Sequence, residues 1–571
     1  MTKLLKYLNT CKIKAILTPI FVLLEVLMEI FIPICMGKLI DDGIKKGNNT
    51  EVIIKYGVYM IILAIFALIF GVIATRLAAT VSNELGRNIR NAEYKKIQTY
   101  SFENIDKFQT SSLITRMTMD VQMIQQAFQM NIRISFRAPA MLLFSIISAA
   151  VIGGKMALIF VTIIPILGFG LYFIMSHAHK YFMQMFKKVD KLNLTVQEDL
   201  SGIRTIKSYV REDYEVNRFK EASDDIKDNS IKAEKWITFN NPLMQLSICL
   251  CFILISWFGS KNMVYHGFTE GQFTNIITYV MQVLMSLMML SQVFLMLVIS
   301  KASVNRISEV LNEQTTLEDP VNPLTEVKDS SFEFKNVSFK YTDKDILKNF
   351  NLKIPQGSFV GIFGATGTGK STLVQLLPRL YDVTEGEVLV GGENVKNYSL
   401  NTLRKEVIMA LQKNVLFSGT IRDNIKWGKE DATDEEIIEA LKKSQSYEFV
   451  SKMPEFLDTW IEQGGVNVSG GQRQRLSIAR SIIGSPKILI LDDSTSAVDT
   501  KTESLIKESL QSLPNMTKII ISQRLTSIKE ADYIIILDNN GINGIGTHEE
   551  LYSNNKIYKE VFDMQQNKEV E

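Results

Sequence analysis

The chain has 571 residues, more than one hydrophobic core can organise, so two or more domains are expected. Its 63 basic and 61 acidic residues leave a net charge of +2, which argues against a polybasic nucleic-acid-binding surface. A mean hydropathy of +0.09 argues against an ordinary soluble protein of this size and points to a membrane.

The long apolar runs lie almost entirely before about residue 300. Six segments reach the roughly 20 mostly apolar residues needed to cross a bilayer. They lie near residues 15–40, 55–80, 132–152, 156–178, 238–260 and 272–299. The run opening at Ala15 is too long for a signal peptide and lacks a small-residue cleavage site, so a retained membrane helix is expected. Loops after the second and fourth segments are long. They carry Arg87, Arg90, Lys95, Lys96 and Lys107 in one, and Lys187, Lys188, Lys191, Arg204, Lys207 and Arg211 in the other. The N-terminus adds Lys3, Lys6, Lys12 and Lys14, whereas the short loops hold only Lys45, Lys46, Lys55, Lys155 and Lys261. The positive-inside rule therefore places both termini and both long loops in the cytosol, on a multi-pass protein of the cell membrane. Residues 102–121 and 189–220 show helical periodicity, so the membrane helices are expected to run on into the cytosol.

Glu25 and Glu29 stand four apart on one face of the first segment. Carboxylates at that depth serve a substrate or proton path, or else lie near a helix end or pair with Arg76. Met281, Met285, Met288, Met289 and Met296 stripe the sixth segment, where helix packing or lipid contact is the expected role. Cys11, Cys35, Cys249 and Cys251 match no zinc spacing and are expected to pack as small apolar residues.

Residues 301–311 read as a helix leaving the membrane, and Pro320 and Pro323 mark a linker. Residues 332–340 alternate like a strand and open a soluble α/β domain. The domains are thus expected at 1–310 (membrane), 311–330 (linker) and 331–571 (soluble). Gly364, Ala365, Thr366, Gly367, Thr368, Gly369, Lys370 and Ser371 form a complete G-x-x-x-x-G-K-[ST] loop, followed by Thr372. Such a loop cradles phosphates with backbone N–H groups, reaches them with its lysine and offers its serine hydroxyl to Mg²⁺. Ile488-Leu-Ile-Leu-Asp492 reads as a buried strand ending in a carboxylate suited to the same metal. Gln412 can contact the metal or an attacking water, and Tyr341 can stack on adenine.

Farther on stands Val468-Ser469-Gly470-Gly471-Gln472. With the phosphate loop it makes the chain resemble a half-transporter of the ABC exporter superfamily. The resemblance covers essentially the whole chain and includes residues 200–213, similar to that family's second coupling region. It implies a six-helix transmembrane domain followed by an α/β P-loop ATPase domain binding ATP and Mg²⁺. It also implies a dimer, in which each ATP lies between one chain's phosphate loop and the other's signature. Ser469, Gly470 and Gly471 precede a helical run at 473–483, and their N–H groups would meet a partner-bound γ-phosphate. Thr459-Trp-Ile-Glu462-Gln463 is similar to the family's cross-contact loop, with Gln463 where an acid is frequent.

Two departures bear on mechanism. The family's catalytic glutamate is Asp493 here, one methylene shorter, and its switch histidine is Gln523, which cannot carry an imidazolium charge. The other histidines, His177, His179, His266 and His548, have no sequence context to replace it. A nearly intact signature, with Val468 for the usual leucine, beside altered catalytic positions resembles one subunit of a heterodimeric bacterial exporter. The expected partner is a second, different half-transporter, with membrane lipids and a small hydrophobic or amphipathic substrate as further contacts. A homodimer with two active sites, or an ATP-binding regulatory or channel-like protein, is the alternative.

Overall fold

Apolar runs of this length leave the backbone few ways to satisfy its own polar groups in lipid, and the helix is the available one. The computed structural model describes residues 2–46, 49–341, 344–538 and 541–570. Contacts divide the chain into Met1–Thr99 with Phe108–Glu313, and Tyr100–Lys107 with Gln314–Glu571.

The first unit is built from helices. Among the described residues, five stretches are long and apolar enough to cross a membrane: Lys12–Ile44, Thr50–Gln98, Thr110–Gly153, Glu212–Val264 and Glu270–Asn312. The remaining expected segment falls in the helix Leu158–Ser201, several of whose side chains lie outside the described residues. Helices of 49, 44 and 43 residues exceed the ~20 residues a bilayer requires, so each continues well beyond it. Ile276, Tyr279, Val283 and Leu284 of the last helix are buried at the centre of this unit. Tyr279 satisfies its hydroxyl by donating to the Ile30 carbonyl at 3.0 Å.

Glu25 and Glu29 are paired, but not with Arg76. Arg137 donates to both Glu29 oxygens at 2.7 and 2.8 Å and also reaches Glu25, and Arg133 Nη2 lies 3.4 Å from Glu25 Oε1. The rotation of the helix Val121–Gly153 about its axis selects these arginines. Spacing along the sequence does not record that rotation. Cys11 and Cys251 are buried, Cys35 is partly buried and Cys249 is exposed. Among the methionines, Met288 packs against the core, while Met281 and Met285 are exposed.

In the cytosolic extensions, Asp120 accepts from Ser303 at 2.8 Å and from the Arg306 guanidinium. Glu93 is fully buried beside it, with neither carboxyl oxygen hydrogen-bonded. Burial, then repulsion from Asp120, pushes Glu93 from 4.5 up to about 8, against the opposing pull of Arg116 and Arg90.

The second unit holds a six-stranded sheet in the order Gly541–Gly546, Tyr533–Asp538, Phe359–Gly364, Thr517–Ile521, Ile488–Asp492 and Val407–Ala410. All neighbours are parallel except the first pair. Strands buried on both faces need continuous apolar runs, and Ile488–Asp492 and Thr517–Ile521 are buried at every position. An antiparallel sheet of four strands includes Phe332–Lys340, as the alternation predicts. Its Phe334, Val337 and Phe350 share a core with Leu373 and Leu377, behind the phosphate loop. Tyr100–Lys107 joins this unit: Asn104 donates to the Gln314 carbonyl at 3.0 Å, and Tyr381 donates to Asp106 Oδ2 at 2.7 Å.

Because the folded state holds the Glu93 proton more tightly than the unfolded chain, its stabilising contribution is complete below 4.5 and fades as pH rises to about 8. Glu93→Gln should therefore flatten the decline of melting temperature across that interval. Each unit of pKa shift is worth about 1.4 kcal/mol, so the flattening should be readily measurable in a thermal-shift series.

Candidate nucleotide-binding site

The strand Phe359–Gly364 ends where the chain must turn sharply into the helix Lys370–Gln375. Gly367 (φ 87°) and Gly369 (φ 85°) take left-handed conformations in that turn, which side chains strongly disfavour. Lys370 Nζ donates to the carbonyls of Gly364 at 2.8 Å and Ala365 at 2.7 Å, so the ammonium is held against the loop. Thr368 folds back onto the Ala365 carbonyl at 2.9 Å, and Thr372 is buried behind it.

Around this loop the sheet delivers the other expected groups. Asp492 is buried at the end of its strand and interacts with the Ser371 hydroxyl. Desolvation first, and then the neighbouring Asp493, raise its pKa above the ordinary aspartate range. Asp493 is raised as well, chiefly by burial, with the Gln412 side chain and the charges of Lys370 and Arg524 pulling the other way. Lys370 is shifted downward by desolvation, opposed by the two aspartates. Gln523 lines a cavity of about 430 Å³ together with Gly364, Ala365, Thr366, Thr368 and Leu537. Tyr341 follows its strand onto the loop helix, where its hydroxyl donates to Gln375 Oε1 at 3.1 Å and lies 3.3 Å from Thr372 Oγ1. Tyr341 is 46% exposed, and its ring packs edge-on with those of Phe339 and Tyr381.

Lys370, Ser371, Asp492, Asp493 and Gln412 are thus brought together at one end of the sheet, whereas Gln523 follows the neighbouring strand and lines the cavity beside residues 364–368. Ser371, Gln412 and Asp492 offer only oxygen donors, the set a hard cation such as Mg²⁺ prefers. Asp493 itself has φ 48°, a left-handed backbone that aspartate tolerates better than most residues.

The signature residues occupy a different place. Ser469 caps the helix Gly470–Ile482 in a reciprocal capping box: the Gln472 N–H donates to its hydroxyl, and its own N–H donates to Gln472 Oε1 at 2.9 Å. The helix therefore begins at Gly470, earlier than the expected run at 473–483, with both glycines in its first turn. Ser469 and Gly470 are exposed, so the free N–H groups of that turn face outward. Among the described residues no hydrogen bond joins Ser469, Gly470, Gly471 or Gln472 to the phosphate loop. Gln474 ties this helix to the segment after Asp493, donating to Ser496 at 3.1 Å and accepting from the Ala497 N–H at 2.9 Å.

The sequence did not single out Gln474, Tyr381 or Arg524. The Ser469-x-x-Gln472 pattern was a legible helix start. Nothing local marks Arg524, which reaches buried Glu503 at 3.5 Å. His548 accompanies Tyr558 (2.7 Å), Tyr552 and Phe562 in an aromatic cluster. The side chains of His179 and His266 lie outside the described residues.

Comparison with known proteins extends this picture. The ABC transporter transmembrane region matches residues 15–288, and the ABC transporter domain matches residues 347–496. YfiB of Bacillus subtilis (strain 168), an uncharacterised ABC transporter ATP-binding protein, is 35% identical over 99% of this chain and 98% of its own. An ATP-dependent lipid A-core flippase of Desulfotalea psychrophila is 32% identical over 85% of each chain. A bacterial Atm1-family ABC exporter with ATP bound has the same fold, with a TM-score of 0.84 over 98% of both chains at 23% identity. These matches bear out a helical transmembrane domain of exporter type followed by a nucleotide-binding domain.

Tyr341→Ala should weaken ATP binding by roughly five- to 150-fold, since stacking a base on an aromatic ring is worth about 1–3 kcal/mol. Tyr341→Phe keeps the ring and should bind within about threefold of the native chain in equilibrium titration. Equal affinity for the alanine variant would remove Tyr341 from the site.

Proposed function

We infer from the ABC transporter family, to which this chain belongs, that it is one half of a heterodimeric exporter whose own ATP site is degenerate. The observation that carries this reading is the pairing of a nearly intact, outward-facing signature, changed only at Val468, with altered residues at both hydrolysis positions.

ATP would lie on the phosphate loop, its adenine on Tyr341 and its charge met by Lys370 and the N–H groups of residues 364–372. Mg²⁺, when bound by Ser371, Gln412 and Asp492, would neutralise the β- and γ-phosphates. Asp493 would orient the attacking water, but with a carboxylate one methylene short of glutamate. A misplacement of about 1 Å can cost on the order of a hundredfold in rate. Gln523 can donate a hydrogen bond to the γ-phosphate without adding positive charge to the transition state. Ser469, Gly470 and Gly471 would complete the partner's composite site, where most hydrolysis would occur.

The domains would run 1–310, 311–330 and 331–571, with the nucleotide-binding domain in the cytosol below the cell membrane. ATP-driven closure of the paired domains would switch the membrane helices between two rigid arrangements. The cargo would be a hydrophobic or amphipathic compound, in keeping with the likeness to a lipid flippase.

One observation favours the homodimeric alternative. The left-handed backbone at residue 493 suits aspartate better than glutamate, so Asp493 fits its own setting. Turnover and native mass of the purified chain in nanodiscs decide between them. Negligible turnover alone, with turnover restored by a partner half-transporter, is expected. A stable homodimer hydrolysing at roughly 1 s⁻¹ or more would overturn the heterodimer. In the pair, Asp493→Glu with Gln523→His should raise total turnover up to about twofold, as a second site of ordinary rate is added.

A further inference from the structure

The expected partner of the intramembrane carboxylates, Arg76, is not their partner, and that leaves a charge to be explained. Arg137 engages both Glu25 and Glu29, and Arg133 adds a second contact to Glu25. The second helix gives way to this cluster at Gly71, where a Cβ would stand 2.9 Å from Glu25 Oε1. Arg76 lies farther along that helix and forms no ion pair among the described residues. It lines a recess of about 760 Å³ with Glu25, Glu29 and Arg133. A second recess of about 560 Å³ shares Arg133 and Thr75 with the first and is walled by Gln126, Gln129 and Gln292.

Three guanidiniums facing two carboxylates leave one positive charge in a setting where uncompensated charge is costly. Both carboxylates are already engaged by arginine, and Arg76 would repel an incoming cation. Glu25 Oε2 and Arg133 Nε are each buried without a partner, so the cluster keeps one acceptor and one donor in reserve without altering that balance. Leu68 and Val72 flank Arg76 in the first recess and supply apolar wall beside the charge.

We propose that Arg76 and Arg133 form a recognition site for the carboxylate or phosphate head of an anionic amphiphile, whose tail lies along the Leu68 and Val72 wall. Guanidinium recognises such groups by paired N–H donors, in the manner Arg137 already shows towards Glu29. The proposal rests on the reading of this chain as an exporter subunit and specifies the class of its cargo.

The test uses the full chain, with any half-transporter that co-purifies, in phosphatidylcholine nanodiscs. Binding of n-decyl phosphate is compared with binding of uncharged n-decyl maltoside. The phosphate should bind about tenfold or more tighter, and Arg76→Gln should abolish that preference, while Arg76→Lys retains most of it. Equal binding of the two probes, or an Arg76→Gln variant with its preference intact, overturns the proposal. If Arg76→Gln does not fold, the native protein's ratio and the Arg76→Lys ratio decide alone. Replacing phosphatidylcholine by phosphatidylglycerol separates the sources: suppressed decyl phosphate binding identifies a lipid headgroup, and unchanged binding a free amphiphile. ATP turnover measured on the same discs keeps the two readings apart. Selective binding without turnover in either assembly fails the exporter reading alone, and turnover without selectivity fails this one alone.

Discussion

The register of the parallel sheet is the constraint on which the nucleotide site depends. Ile521 pairs with Ile362 on one side and with Asp492 on the other. Three separate stretches of chain therefore end their strands within two residues of one level, and the residues just beyond each end are forced together. Gly364 opens the phosphate loop, Asp492 and Asp493 arrive from the next strand but one, and Gln523 emerges between them. None of these contacts needs a local preference of its own, because hydrogen-bonded ladders hold the strands. A slip of one residue in any strand would turn every side chain beyond it to the opposite face and dissolve the site.

The membrane unit is held to a different rule. An ion-paired cluster joins the first helix to the helix Val121–Gly153 through Arg137 and two carboxylates. Charged groups placed in an apolar setting are tolerated when paired, and leaving one partner alone is far more damaging than never having had the pair. Gly71 shows the same demand in steric form, since the second helix forgoes a side chain where Glu25 needs space.

Much of this was legible in the sequence, for identifiable reasons. The phosphate loop, the terminal aspartate of its neighbouring strand and the strand Phe332–Lys340 are local patterns, fixed by spacing and alternation. The pairing of Glu25 and Glu29 was legible as a requirement, yet its partner was not, because helix rotation is set by packing. The start of the signature helix was misplaced by a few residues because glycines are weak helix formers. The capping box of Ser469 and Gln472 overrides that weakness. The left-handed backbone of Asp493 has no sequence signal at all. It follows from the chain turning away after its strand while its N–H still reaches the Ile521 carbonyl at 3.1 Å.

Tyr100–Lys107 lies between two membrane helices in the chain but is packed within the unit formed by Gln314–Glu571. Its bond from Tyr381 to Asp106 spans 275 residues. A ribosome adding about 5–20 residues per second needs roughly 14–55 s to cover that distance. The short helix at Phe102 thus emerges long before the aromatic side chain that receives it has been synthesised. Assembly of this chain is therefore a matter of waiting as well as of affinity: this cytosolic loop must stay soluble and uncommitted until the domain that receives it is complete.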